Sequence, residues 1–524
     1  MPKKFRSVVL IILDGFGIAP PDNGNAISLA KKPFFNSLIT NYPTVLLEAS
    51  GLSVGLPRNE VGNSEVGHLT IGSGILRYQN LPRIDRSIST GKFFKINDLE
   101  NAFKKVKKTK CKLHLVGLLG NGGVHSSQEH LEALITMAKK NKIWKRTFIH
   151  GFLDGRDTAK DDGLKLVKKL VDFADGDENI ASLSGRFYGM DRNRNWDRTA
   201  KAYEAIINGK AQNEERNPLK TIQKSYDKKI YDEEFEPTIF TTRFGKPKAV
   251  IEDSDVVIFF NFRSDRARQL TESLTQPDFD KFPTKKLKDL ETITFTEYEK
   301  GLPSKVLFPT EIIQNPLAKI FSDYNLKQLH IAETEKYAHV TFFLNGRQEE
   351  KFSGEDRLLI PSPNVSTYDE SPDMSAKEVT DNILKALKQD TYDFMVVNYA
   401  NPDMVGHTGN LKAAIQAIET TDQCLSKVVK EVVKKGGIAF VVADHGNAEV
   451  MINPSTGQED KEHNPYPVPF IMVSNSSAGQ TNKDIFKNDL STLNPVGILA
   501  DIAPTILKNI NLTPPPEMTG TNLF

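Results

Sequence analysis

The sequence predicts an α/β protein made of two α/β domains, one assembled from both chain ends and the other inserted into it. Three observations carry this. The chain has 524 residues, and a single core rarely grows past about 250–300 residues. Continuous apolar runs recur along it, as expected of strands buried on both faces of a parallel sheet. The runs near the two chain ends stop at aspartate and histidine, whereas those between them stop at arginines.

Composition narrows the class. A charged fraction of 26% and a hydrophobic fraction of 39% fit a soluble globular protein. The formal net charge is +1, so no global field favours nucleic acid or an acidic membrane. Two cysteines, Cys111 and Cys424, stand far apart, which suits a reducing compartment without a disulfide framework. Lys3, Lys4 and Arg6 precede an apolar run, but that run is short, ends at Asp14 and lacks a small-residue cleavage site, so no signal peptide is expected. No apolar stretch approaches the roughly 20 residues of a membrane helix. A cytoplasmic location is the expectation.

In chain order, "SVVLIILDGFG" reads as a strand ending at Asp14, and "VGNSEVGH" sets Ser64 among small residues between two glycines. "CKLHLVGLLGNGGVHSSQEHLEAL" reads as strand, glycine-rich loop and helix, with Ser126 and Glu129 in a capping-box pattern. The lysine-rich run just before it reads as a solvated face. "RTFIHGFLDGRDT" runs into Asp154, Arg156 and Asp157; "IASLSGRFYGMDRNRNWDR" into Arg186 and Arg192; "SDVVIFFNFRSDRARQ" into Arg263 and Arg266. "YDFMVVNYANPDMVGHTG" leads to Asp403 and His407, and "GGIAFVVADHGNAE" to Asp444 and His445. His463 stands before a further apolar run. Turn-rich segments at "ILRYQNLP" and "LPSKVLFPT" delimit the insertion. The expected domains are therefore 1–78 with 309–524, and 79–308 between them. Two chain crossings form a natural hinge.

Polar groups just past parallel strands suit a site at the sheet's carboxyl edge. Asp14, Ser64, Asp403, His407, Asp444, His445 and His463 combine carboxylate and imidazole without thiolate, which suits Mn2+, Zn2+ or related ions. Seven such residues are enough for two metals, with Ser64 as one ligand. A divalent cation would turn that poor nucleophile into a good one by stabilising its alkoxide. Taken singly these residues say little, since aspartates cap turns and loop serines are ordinary; their convergence after strand ends carries the reading. His68 is expected to be structural and buried, and His114 and His150 stay unassigned. In the insertion, guanidinium forks match phosphate and carboxylate. Arg156, Arg186, Arg192, Arg263 and Arg266 around one pocket would suit a small, multiply anionic substrate, and His125 and Asp157 could move protons. Surface ion pairing is the plainer alternative for any one arginine.

Together these residues resemble the cofactor-independent (2,3-bisphosphoglycerate-independent) phosphoglycerate mutases of the alkaline phosphatase superfamily. The resemblance runs along nearly the whole chain through "LDGFG", "GNSEVGH", "LDGRDT", "MDRNRNWDR", "NFRSDRARQ", "EKYAHVTFF", "NPDMVGHTG", "ADHGNAE" and "PVPFIM", in that order. It implies a monomeric enzyme that interconverts 3-phosphoglycerate and 2-phosphoglycerate through a phosphoserine at Ser64. It implies two divalent ions, Mn2+ or alternatively Mg2+, Co2+ or Zn2+, and no 2,3-bisphosphoglycerate. One ion would be held by Asp14, Ser64, Asp444 and His445, the other by Asp403, His407 and His463. Substrate contacts would fall to His125, Arg156, Asp157, Arg186, Arg192, Arg263, Arg266 and Lys336, with Lys336 opposing phosphoryl charge and Asp157 shuttling protons. Ser264, Asn193 and Asn464 stand where proline, aspartate and threonine are common in this family; none replaces a ligand.

Rival readings are a metal-dependent phosphatase or phosphopentomutase of the same superfamily, a nucleotide-binding protein and a scaffold. The arginine-bearing insertion argues against the first. "DGFGIAP" has Pro20 where a dinucleotide fingerprint needs its third glycine, and no phosphate-loop lysine motif occurs. A scaffold has no use for a full set of metal-ligand types.

Overall fold

The structure, a computed structural model, describes residues 6–481 and 489–524; Lys3 and Lys4 lie outside them. The described strands are β1 (Val8–Leu13), β2 (Thr44–Glu48), β3 (Leu113–Leu119), β4 (Thr147–Leu153), β5 (Ile180–Gly185), β6 (Asn213–Glu215), β7 (Thr238–Phe240) and β8 (Val256–Phe259). They continue as β9 (Glu291–Thr294), β10 (Lys305–Val306), β11 (Gln328–Glu333), β12 (Glu355–Ile360), β13 (Phe394–Tyr399), β14 (Ile438–Val442), β15 (Val468–Val473) and β16 (Gly497–Ile498). The chain divides into two compact units, residues 1–79 with 312–524, and residues 80–311.

The first unit holds a sheet in the order β12-β11-β13-β1-β14-β15-β2-β16. From β12 to β14 neighbouring strands are parallel, and β15 runs antiparallel to both β14 and β2. Every residue of β1, β13 and β14 is buried. Side chains alternate between faces along a strand, so unbroken apolar runs demand cover on both faces. Part of that cover is the helix Leu411–Lys434, started by an Asn410 side chain that accepts from Ala413 N. Its buried positions include Ala414, Ala417, Leu425, Val428 and Val432.

The second unit repeats the principle in the order β10-β9-β8-β3-β4-β5-β7-β6. Val256 and Ile258 pack into one apolar cluster and Val257 and Phe259 into another, so this sheet too is covered on both faces. The helix Gln128–Lys140 departs from expectation. Ser127 is its N-cap residue and makes no side-chain cap bond. The Ser126 hydroxyl donates instead to Leu118 O at 2.6 Å, which removes it from a capping box. The lysine-rich run falls on the helix Asn97–Thr109, whose buried residues are apolar.

His114 and His150, unassigned from sequence, form a buried polar string across neighbouring strands. Ser182 Oγ lies 2.8 Å from His150 Nδ1, His150 Nε2 2.9 Å from His114 Nδ1, and His114 Nε2 3.2 Å from Asp255 Oδ2. One tautomer satisfies every link: each Nε2 carries the proton and each Nδ1 accepts. Burial lowers the proton affinity of both rings, most strongly at His150. Folding therefore favours the neutral rings. Their contribution is complete above the unfolded histidine pKa of about 6.5 and is lost as pH falls below it. His150→Leu is expected to cost about 1–3 kcal/mol by orphaning its partners and to flatten the acid side of the stability profile. Urea denaturation between neutral and mildly acid pH reads both effects.

Candidate metal centre and anion site

In the first unit four neighbouring parallel strands, β11, β13, β1 and β14, deliver polar residues at their carboxyl ends. Lys336 follows β11, Asp403 follows β13, Asp14 follows β1, and Asp444 and His445 follow β14. Ser64 opens the helix Ser64–Ser73, where Asn63 caps by accepting from Val66 N. Its hydroxyl therefore sits at the positive end of a helix, where negative charge is favoured. Glu65, beside it in sequence, is exposed and outside the cluster.

Distances are short throughout. Ser64 Oγ is 2.8 Å from His445 Nε2, 2.7 Å from Lys336 Nζ and 3.2 Å from Asp14 Oδ1. Lys336 Nζ also meets Asp14 Oδ1 at 2.7 Å and Asp403 Oδ2 at 2.5 Å. His445 Nε2 lies 3.5 Å from both Asp14 Oδ1 and Asp444 Oδ2. His407 Nε2 and His463 Nε2 lie 3.3 and 3.2 Å from Asp403 Oδ1 and 3.0 Å from each other. Ligand atoms of Asp403, His445 and His463 fall within 4.8 Å of one another, as do those of Asp14, His68 and Asp444.

The donor chemistry fits divalent cations. His407 Nδ1 donates to Lys461 O at 2.7 Å and His463 Nδ1 to Gly62 O at 2.9 Å. Carbonyls only accept, so in the neutral rings both Nε2 atoms turn bare lone pairs on one carboxylate oxygen. Asp444 Oδ2 is buried and accepts no hydrogen bond. Such a donor set suits a divalent cation.

Electrostatics agree. Burial alone would raise Asp14 and Asp403, but Lys336 together with His445 at Asp14, and with His407 and His463 at Asp403, outweighs it and holds both far below the usual carboxylate range. Burial would lower Lys336, and Asp14 and Asp403 push it well above the usual lysine value instead. Burial would also lower His445, yet Asp444, Asp14 and Asp403 lift it to about 9.

Asn398, Asn447 and Glu449 gave no signal in the sequence, whereas His68 was expected to be buried, as it is. Asn398, at the end of β13, donates to Asp14 Oδ2 at 2.7 Å and lies 3.0 Å from His68 Nε2. His68 Nδ1 lies 2.9 Å from Ser64 O and 3.1 Å from Asp444 Oδ2. Both its nitrogens are thus engaged, and it is fully buried, so it braces Asp444 and the start of the Ser64 helix. Asn447 donates to Asp403 Oδ1 at 2.8 Å. Glu449 Oε2 accepts from Gly17 N and Asn447 N, both at 3.0 Å, tying the loop after β1 to the loop after β14.

The small residues around Ser64 have a steric cause. A Cβ on Gly67 would lie 2.7 Å from Asp444 O and 2.8 Å from Asp444 Cβ. Alanine favours an isolated helix over glycine by about 1 kcal/mol, but here it would drive the serine helix off the β14 loop. Gly67→Ala is expected to reduce turnover by on the order of 100-fold, as a misplacement of about 1 Å does. Steady-state kinetics of the metal-loaded variant would check it.

The second unit has its own convergence, after the neighbouring strands β8, β3, β4 and β5. Arg186, fully buried, donates to Asp154 Oδ1 at 2.5 Å and Asp157 Oδ2 at 2.6 Å. His125 Nε2 is 3.7 Å from Asp157 Oδ2. Arg192 Nη1 meets Asp265 Oδ2 at 2.9 Å and Arg263 Nε meets Asp265 Oδ1 at 3.3 Å. Arg266 donates to Met190 O at 3.3 Å. Burial, then Arg186, Arg192 and Arg156, lower Arg266, so these guanidiniums share one field. Arg156 is half exposed and its side chain turns to Glu233 at 3.4 Å. Burial, then Arg186, hold His125 down at about 4. Asp154 and Asp265 were visible in the motifs but gave no sign that they organise the arginines.

Residues 6–514 match the metalloenzyme superfamily. The 2,3-bisphosphoglycerate-independent phosphoglycerate mutase of Chloroflexus aurantiacus is 46% identical, over 99% of this chain and 98% of that one. The enzyme of the same name from Clostridium botulinum is 48% identical, over 99% of each. A crystal structure of Leishmania mexicana phosphoglycerate mutase at low cobalt concentration is 28% identical, with a TM-score of 0.53, covering 99% of this chain and 98% of that one. With ligand-type residues at three strand ends, and relatives matched nearly end to end, the chain belongs to the 2,3-bisphosphoglycerate-independent phosphoglycerate mutases of the metalloenzyme superfamily.

Proposed function

We propose that this member of the family acts through a phosphoserine at Ser64, with a metal set divided as Asp14, Ser64, Asp444 and His445 for one ion and Asp403, His407 and His463 for the other. The chain is an enzyme that interconverts 3-phosphoglycerate and 2-phosphoglycerate. The observation that carries the mechanism is the Ser64 hydroxyl: buried, first in its helix, and within 3.2 Å of a lysine, an imidazole and a carboxylate. Divalent ions bound there supply the positive charge that activates a hydroxyl and offsets phosphoryl oxygens. Mn2+ suits the oxygen and imidazole donors.

Ser64 Oγ, ionised with its proton passed to solvent before transfer and ionised again when released, attacks the phosphorus of 3-phosphoglycerate, forming an O–P bond as the bond to O3 breaks. O3 leaves as the hydroxyl of glycerate, taking a proton from the Asp157–His125 pair. O2 then surrenders a proton to that pair and attacks phosphoserine, and the bond to Ser64 Oγ breaks. Lys336 Nζ, 2.7 Å from Oγ, opposes charge on the transferred group in both directions. Arg156, Arg186, Arg192, Arg263 and Arg266 hold the anionic substrate, and glycerate must stay bound between the two transfers. Residues 1–79 with 312–524 are assigned the metal chemistry and residues 80–311 the substrate. A cytoplasmic monomer is the proposed state; the two scattered cysteines suit a reducing compartment, and the monomer rests on the family resemblance alone. Among the described residues no helix is long and apolar enough to cross a membrane.

A coupled assay with no bisphosphoglycerate added, run before and after chelation and after Mn2+ is restored, tests the proposal. Conversion of 3- to 2-phosphoglycerate should vanish with the chelator and return with Mn2+. Release of inorganic phosphate without conversion would instead establish a phosphatase.

A further inference from the structure

His125 Nδ1 and Asp265 Oδ1 are both buried, neither makes a hydrogen bond, and they lie 3.6 Å apart. That is just beyond bonding distance. Their loops are laced together: His125 O accepts from Phe262 N at 2.8 Å and from Arg263 N at 3.4 Å. Asp265 is held by two other partners, Arg192 on Oδ2 and Arg263 on Oδ1. Both are about half exposed, at 45% and 51%. The carboxylate is therefore the shared counter-ion of two guanidiniums for which an anionic ligand would compete.

We propose that Asp265 is a positioning residue that couples anion binding to His125. When the substrate's anionic groups draw Arg192 and Arg263 away, Asp265 Oδ1 takes the His125 Nδ1–H. His125 Nε2 is then left to serve the substrate hydroxyl beside Asp157. Catalytic hydrogen bonds that are long without ligand commonly tighten in the complex. The charged groups acting on His125 are Arg186 and Arg263, which oppose its protonation, and Asp157 and Asp265, which favour it. Releasing Arg263 from Asp265 tips that balance toward a more basic ring. The proposal rests on the substrate-site reading above.

The test compares kcat and KM against pH for the metal-loaded wild type, Asp265→Asn, Asp265→Glu and His125→Ala. Asp265→Asn is expected to lower kcat by on the order of tenfold or more while KM stays level or falls, because the arginines are freed for substrate. The limb of the kcat profile that His125→Ala abolishes should move to lower pH, and Asp265→Glu should restore part of both. Unchanged kcat and limb with a raised KM would overturn the proposal, leaving Asp265 as a holder of arginines. Wild-type kinetics in His125→Ala would instead overturn the substrate-site reading itself. Imidazole NMR supplies a readout that does not depend on the Asp265 variants folding. In Ser64→Ala protein, which keeps Asp265, adding 3-phosphoglycerate should raise the His125 titration midpoint, and an unmoved midpoint rejects the coupling.

Discussion

Ser64→Ala is expected to lower mutase turnover by at least about 10^4-fold, the scale seen when a nucleophile is removed from an assembled site. No other described hydroxyl shares its place among Lys336, His445 and Asp14. The substitution removes one oxygen from a buried pocket and leaves the helix and its Asn63 cap intact. Folding and most of the metal set should therefore survive while turnover does not. Mass spectrometry of the acid-quenched wild type after mixing with 3-phosphoglycerate should find phosphate on the peptide containing Ser64. Retention of more than about a hundredth of wild-type turnover in the variant would remove Ser64 from the mechanism.

The second large effect is expected of Lys336→Met. The ammonium is buried and neutralises Asp14 and Asp403 together. Breaking a buried ion pair costs about 3–5 kcal/mol because the remaining charge has no partner. In chelated protein the variant should lose about that much stability. Metal-loaded protein should lose much less, since bound cations take over the neutralisation. Turnover should fall in both because charge on the transferred group loses its donor. Thermal melts with and without chelator separate the two contributions. Equal losses in the two states would show that Lys336 does not share its carboxylates with metal.

Much of this was legible in one dimension because strand-end chemistry is local. An apolar run that stops at Asp14, or at Asp444 and His445, states both the strand and the edge at which those side chains emerge. The arginines of the second unit were legible for the same reason. What failed was local in another way. Ser126 and Glu129 have the spacing of a capping box, but Leu118 O, eight residues away, competes for the Ser126 hydroxyl. Asn398, Asn447 and Glu449 are ordinary residue types whose roles exist only through partners such as Asp14 and Gly17, tens or hundreds of residues away.

The sequence by itself pointed to two α/β units, one of them discontinuous in the chain, and to which residue types follow their strands. Periodicity and residue chemistry are properties of short segments and survive in a string of letters. The tertiary structure alone decided that Lys336 bridges Asp14 and Asp403, that His407 and His463 turn their Nε2 atoms on one carboxylate, and that Asp265 lies 3.6 Å from His125. Those facts depend on strand order and on distances of a few ångströms between residues far apart in the chain, which no local pattern encodes.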